Sequence, residues 1–131
     1  MYRRSFSVLA AAMAAAGVLC AAPASAHHSF TSFDRDHVTV VSGTVKDFQW
    51  TNPHIWIQLL APGVDGAAPV EWSIEGGSVD SLKRGGGWKK SSLNVGDKVV
   101  VYFHPLRSGS PGGELINASV NGKLIGPEKV G

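Results

Sequence analysis

The chain has 131 residues, with 12 basic and 10 acidic side chains, five histidines and a single cysteine. This length suits one domain, and one cysteine excludes a disulfide framework. No run of Lys or Arg is present: the nearest to a basic patch, Lys83-Arg84 with Lys89-Lys90, reads as a solvated loop. This argues against nucleic acid, whose affinity rests largely on neutralising phosphates.

Residues 1–26 carry Arg3 and Arg4, a small-residue apolar stretch from Val8 to Ala22, and Ala24-Ser25-Ala26. Small residues at the last and third-last positions are what a signal peptidase requires, so this segment is expected to be a cleaved export signal and the mature protein periplasmic or secreted. The apolar run is too short to span a bilayer comfortably, so no transmembrane segment is expected after cleavage. Gly17-Val18-Leu19 before Cys20 lacks the pattern of a lipidated cysteine. Arg3-Arg4-Ser5-Phe6 suggests a twin-arginine signal only weakly, which leaves the export route open. Cleavage after Ala26 leaves about 105 residues, enough for one domain with a modest core, and takes Arg3 and Arg4 away, so the remainder is balanced at ten charges of each sign.

Residues 27–37 form an N-terminal extension containing histidine, followed by a domain over 38–126 and a short tail over 127–131. From Val38 to Trp50 β-branched residues dominate and Gly43 interrupts, as in a long strand that bends. Thr51-Asn52-Pro53 is a turn. In His54–Leu60 the residues Ile55, Ile57 and Leu59 alternate with His54, Trp56 and Gln58, which is strand periodicity. A Gly/Pro loop over 62–69 leads to Val70–Glu75, where Val70, Trp72 and Ile74 oppose Glu71, Ser73 and Glu75, and the two segments together form a hairpin. Ser78 then caps a short helix through Arg84, with Val79 and Leu82 inward and Gly85-Gly86-Gly87 ending it. Lys98–His104 places Val99, Val101 and Phe103 on one face, and Lys98, Val100, Tyr102 and His104 on the other. A loop over 105–113 precedes a strand over 114–120, and Asn121-Gly122 turns the chain into a short strand at 123–125.

Strand, strand, strand, short helix, strand, strand is the order of the five-stranded OB barrel, an all-β fold with one helix between strands 3 and 4. A small antiparallel sandwich of another topology is the alternative. The expected core is Ile55, Ile57, Leu59, Val70, Trp72, Ile74, Val99, Val101 and Phe103. His27-His28-Ser29-Phe30, Trp50-Thr51-Asn52-Pro53-His54-Ile55-Trp56, Glu71-Trp72-Ser73-Ile74-Glu75-Gly76-Gly77 and the 104–113 loop together resemble a bacterial family of exported single-domain proteins, the domain-of-unknown-function family numbered 6152. The resemblance covers essentially all of the mature chain. It implies export and brings no activity, substrate or catalytic residue.

Signatures of catalysis are lacking. The mature chain has no cysteine nucleophile and no Gly-x-Ser-x-Gly elbow, and Glu71 with Glu75 reads as two solvated carboxylates sharing an exposed strand face. A binding protein is expected instead of an enzyme. All five histidines survive export. His37 reads as a solvated linker residue. His54 ends the loop between strands 1 and 2, and His104 begins the loop between strands 4 and 5, the two loops that flank the binding mouth of an OB barrel. A histidine at a free N-terminus adds an amine and an imidazole from one residue, groups that ordinarily titrate at about 7.7–8 and about 6.5 and so yield to a metal near neutral pH. His27, His28, His54 and His104 are therefore the candidate metal ligands, with copper the expected ion and zinc a second choice. The set requires the segment 29–36 to fold back on the barrel, for which Phe30 and Phe33 give an apolar reason. Two metal-free alternatives stand beside it. One is a small-molecule or oligosaccharide binder using Trp56, Tyr102 and Trp88 as platforms and Arg107 as an anion clamp. The other is a module that docks another exported protein.

Overall fold

A computed structural model describes residues 30–126. The expected signal segment 1–26, His27, His28 and the tail 127–131 lie outside the described residues. The chain opens with a 3-10 turn, Phe30–Ser32, followed by β1 (Thr39–Gln49), β2 (Trp56–Ala61), a second 3-10 turn (Val64–Gly66), β3 (Val70–Glu75), α1 (Val79–Gly86), β4 (Lys98–Pro105), β5 (Gly112–Val120) and β6 (Lys123–Ile125). The strand order is β3-β2-β1-β4-β5-β6, and an additional β3–β5 pairing closes the first five strands into a barrel. All pairings are antiparallel except β3–β5, which is parallel. This is the OB-like barrel expected from element order, with one short helix between β3 and β4. Closure removes the free edges that an open five-stranded sheet would expose.

The barrel interior follows strand parity. Ile55, Ile57, Leu59, Ile74, Val99, Val101 and Phe103 are all buried and belong to one apolar cluster. Two expected core residues need correction. Val70 is 38% exposed, because it starts β3 opposite Ala61 at the open end of the hairpin. Trp72 is half-buried and packs against the cluster from its margin, its ring 5.6 Å from that of Phe103. Trp88 also differs from expectation: at 1% exposure it is a core residue and offers no platform to a ligand. Its ring lies 6.3 Å from Phe48, and it plugs the barrel with Leu93, which is likewise buried.

Local chemistry explains the joints. The irregularity of β1 falls between Val45 and Asp47, where the register to β2 shifts, and not at Gly43. Gly43 instead permits close approach, since a Cβ there would stand 2.8 Å from the Leu60 carbonyl oxygen. The Ser78 side chain caps α1 by accepting from Ser81 N at 3.2 Å, and Gly87 ends it in the left-handed region with its N–H donating to Leu82 O. Asn52 Oδ1 accepts from Val79 N at 3.0 Å and so ties the β1–β2 loop to the start of the helix. Asn121 and Gly122 both have positive φ, as a two-residue hairpin turn requires.

Candidate functional site

The segment before β1 does not trail into solvent. Phe33 forms a bridge with Leu106, Asp34 N donates to Pro105 O at 2.8 Å, and Arg107 N donates to Ser32 O at 2.9 Å. Residues 31–37 thus lie as an arm along the chain that leaves β4. Phe33 is buried, and apolar burial of a whole Phe side chain is worth roughly 1.5–3 kcal/mol, so it is the main apolar anchor. Arg35 clamps Glu114 through two bonds, Nε–Oε2 at 2.9 Å and Nη2–Oε1 at 2.6 Å. Glu114 raises the Arg35 pKa through this hydrogen bond. At the end of the arm the His37 carbonyl oxygen accepts from His104 Nδ1 at 2.8 Å. His37 itself donates from Nδ1 to Asp34 Oδ2 at 2.8 Å. That hydrogen bond holds the Asp34 carboxyl below its ordinary 3.8, with the backbone N–H of Asp36 and the charge of Arg107 acting in the same direction. His37 is therefore a partner within the arm as well as an exposed residue. The fold-back that the sequence reading required is observed from Thr31 onward.

The arm lies over a particular row of side chains. Trp56 pairs with Glu75, Glu75 with Glu114, and Glu114 with His104. These four are therefore neighbours across β2, β3, β5 and β4 on the outer face of the barrel, since partners in register share a face. His54 precedes the row, two residues before β2: its Nδ1 donates to Gly76 O at 3.0 Å and lies 3.4 Å from Glu75 Oε1. In both His54 and His104 a main-chain carbonyl thus takes the Nδ1 proton, the arrangement that fixes the tautomer and leaves Nε2 as the lone-pair nitrogen. The two are not adjacent. The strands β3 and β5 stand between β2 and β4 along the row, which amounts to about 14 Å at the usual strand spacing. Among the described residues no three His, Cys, Asp or Glu side chains group so as to hold a metal ion.

The expected ligand platform does not gather either. Tyr102 is half-buried between Val40 on β1 and Asn117 on β5. Arg107 serves the arm through its N–H and through its charge beside Asp34. Only Trp56 of that set lines a cavity beneath the arm. This cavity, about 230 Å³, is bounded by Phe33, Trp56, Ser73, Glu75, Leu106 and Gly113. Here the reading of Glu71 and Glu75 as an equivalent solvated pair is corrected. The Glu71 side chain is 47% exposed and meets Lys46 Nζ at 2.6 Å, whereas that of Glu75 is 12% exposed. Phe33 and Leu106, from opposite ends of the chain's path, roof over one carboxylate and leave the other in water. Strand parity carries no sign of that cover, and its mark in the sequence is Phe33, one of two phenylalanines shortly ahead of the first strand.

A profile for a family of unknown function, DUF6152, matches residues 15–115. The chain belongs to this family. No curated protein matches it. Among solved structures it is similar to the mitochondrial single-stranded DNA-binding protein Rim1 from S. cerevisiae, with a TM-score of 0.50 and 7% identity over 65% of this chain and 93% of that one. At this identity the likeness shows the shared barrel fold alone. No helix among the described residues is long and apolar enough to cross a membrane.

Proposed function

We propose that this member of DUF6152 is an exported, periplasmic or secreted, non-catalytic binding protein. Its ligand is a copper ion taken between the mature N-terminus and the barrel face. In this reading cleavage after Ala26 frees the His27 amine, which chelates Cu(II) together with its own imidazole. His28 stands beside it, and Nε2 of His104 completes the set. The observation that carries the reading is the seating of the arm: the His37 carbonyl holds His104 Nδ1, which leaves Nε2 as the donor nitrogen, and the same arm leads back to His27. Ser32 lies five steps along the chain from His27, at most about 18 Å when extended, and Ser32 is bonded to Arg107, close along the chain to His104. His104 is favoured over His54 because the arm touches the former. Nitrogen donors of this kind suit Cu(II), which stands highest in the divalent series.

A nucleic-acid role is disfavoured despite the barrel type. Of the strands that carry the usual OB binding face, β3 here presents Glu71 and Glu75 and no basic side chain that would attract phosphate.

Calorimetric titration of metal-free mature protein with Cu(II) tests the proposal, after intact mass has shown that the secreted chain begins at His27. Three proteins are compared: wild type, the same chain with its N-terminal amine acetylated, and His104→Ala. Affinity should fall on acetylation, which converts the amine to an amide and leaves no free amine in its place, and fall as well in His104→Ala. Affinity indifferent to acetylation overturns the N-terminal site.

A further inference from the structure

The cavity beneath the arm has a chemistry that the copper reading does not use. Phe33 is buried, Trp56 and Leu106 are half-buried, and all three form its apolar walls. Glu75 supplies a carboxylate, and its Oε2 is buried without a hydrogen-bond partner. Its other oxygen lies 3.4 Å from His54 Nδ1, whose closer acceptor at 3.0 Å is Gly76 O. Among the described residues no Lys or Arg reaches Glu75 within ion-pair distance, while Glu71 and Glu114 on the same face are paired with Lys46 and Arg35. Leaving a buried carboxylate oxygen unpaired costs free energy that a folded protein rarely tolerates without a reason. The floor is narrow as well. A Cβ on Gly113 would collide with the His104 carbonyl and the Phe103 ring, so glycine there lets β5 approach β4 and shapes the bottom of the cavity.

We infer that this cavity binds a small organic ammonium ion, its charged nitrogen on Glu75 Oε2 and its alkyl part between Phe33 and Trp56. A positive nitrogen is the one group that answers a buried carboxylate and favours aromatic walls at the same time. At about 230 Å³ the site is smaller than the roughly 300–1,000 Å³ pockets of drug-sized ligands, so it takes a short alkylammonium and not a chain. The arm supplies one wall, and the ligand in turn holds the arm down by touching Phe33. The inference is independent of the copper site, since no histidine nitrogen takes part.

The test is an NMR titration of chelator-treated, metal-free mature protein with n-butylammonium, read at the amides of Ser73 and Gly113. Parallel titrations use 1-butanol as the neutral analogue and a blocked Gly-Lys-Gly peptide. Wild type should show saturable shifts with n-butylammonium, with Kd in about the millimolar range for so small a ligand. Affinity should fall about tenfold or more in Glu75→Gln, the loss expected of a charge-assisted hydrogen bond, and stay unchanged in Glu71→Gln. Should Glu75→Gln fail to fold, Trp56→Leu provides the second variant and should weaken binding as well. Equal response to 1-butanol, retained affinity in Glu75→Gln or Trp56→Leu, tighter binding of the peptide than of n-butylammonium, or a cavity that holds only water and gives no saturable shift would each overturn the inference.

Discussion

The two faces of β3 are governed by different parts of the chain. Inward, Ile74 is fully buried by its own barrel neighbours, so its environment follows from the alternation of the strand it sits on. Outward, Glu71 and Glu75 share one parity, yet one meets water and Lys46 while the other is enclosed under Phe33. The inner face is a local product of periodicity. The outer face is made by a segment some forty residues away in sequence, and that is where the candidate sites lie.

The largest loss of stability is expected on the inner face. Phe103→Ala should destabilise by about 3–5 kcal/mol, since Phe103 is fully buried against the core and beside Trp72. Val40→Ala, at an exposed position of β1, should change stability by no more than about 0.5 kcal/mol. Urea unfolding compares the two, and equal losses would mean that inside and outside are wrongly assigned. A smaller and more local effect is expected at the arm. Phe33→Ala should cost about 3 kcal/mol, the lower end of the range for a buried Phe, and much of that should appear as release of the arm. Hydrogen exchange should then quicken at the amides of Asp34 and Arg107, whose bonds join arm to barrel, while Val101 and Ala118 keep their protection. Uniform quickening throughout the barrel would show that the arm is part of the core and not a separate layer.

The smallest effect is electrostatic. The hydrogen bond from His37 keeps the Asp34 carboxyl below 3.8, and a depressed folded-state value means a contribution that is present above the unfolded value and disappears as pH falls through the folded one. His37→Ala should therefore move the Asp34 titration upward toward 3.8, followed by NMR of its carboxyl carbon, and reduce the acid sensitivity of the arm. An unmoved titration would assign the shift to Asp36 N–H and Arg107 instead.

The barrel was legible in the sequence because alternation and turn chemistry are both short-range. Ser78, Gly87 and Asn121-Gly122 marked their caps and turns, and the apolar parity of β2 and β4 marked the interior. Trp88 was not legible: it lies outside any strand, in a stretch after α1 with no periodicity, and only the closed barrel shows that it fills the core. Val70 erred in the opposite direction, since parity assigns a face and says nothing of how near the strand's end a residue stands. At the candidate site, His54 and His104 were placed on the outer parity, but their separation by β3 and β5 depends on the parallel β3–β5 closure, which no local signal encodes. Glu75 was missed for the same reason as Trp88, namely that its burial is supplied from elsewhere in the chain.

Electron paramagnetic resonance of the Cu(II)-loaded mature protein decides whether the arm, as proposed, carries the mature N-terminus to the barrel to hold Cu(II). Nitrogen couplings are expected from the His27 amine and imidazole together with one from His104. Loss of a nitrogen coupling in His104→Ala and a changed spectrum on acetylation of the N-terminal amine should follow. Identical spectra for wild type, His104→Ala and the N-acetylated chain would rule out a site shared by the N-terminal amine and His104.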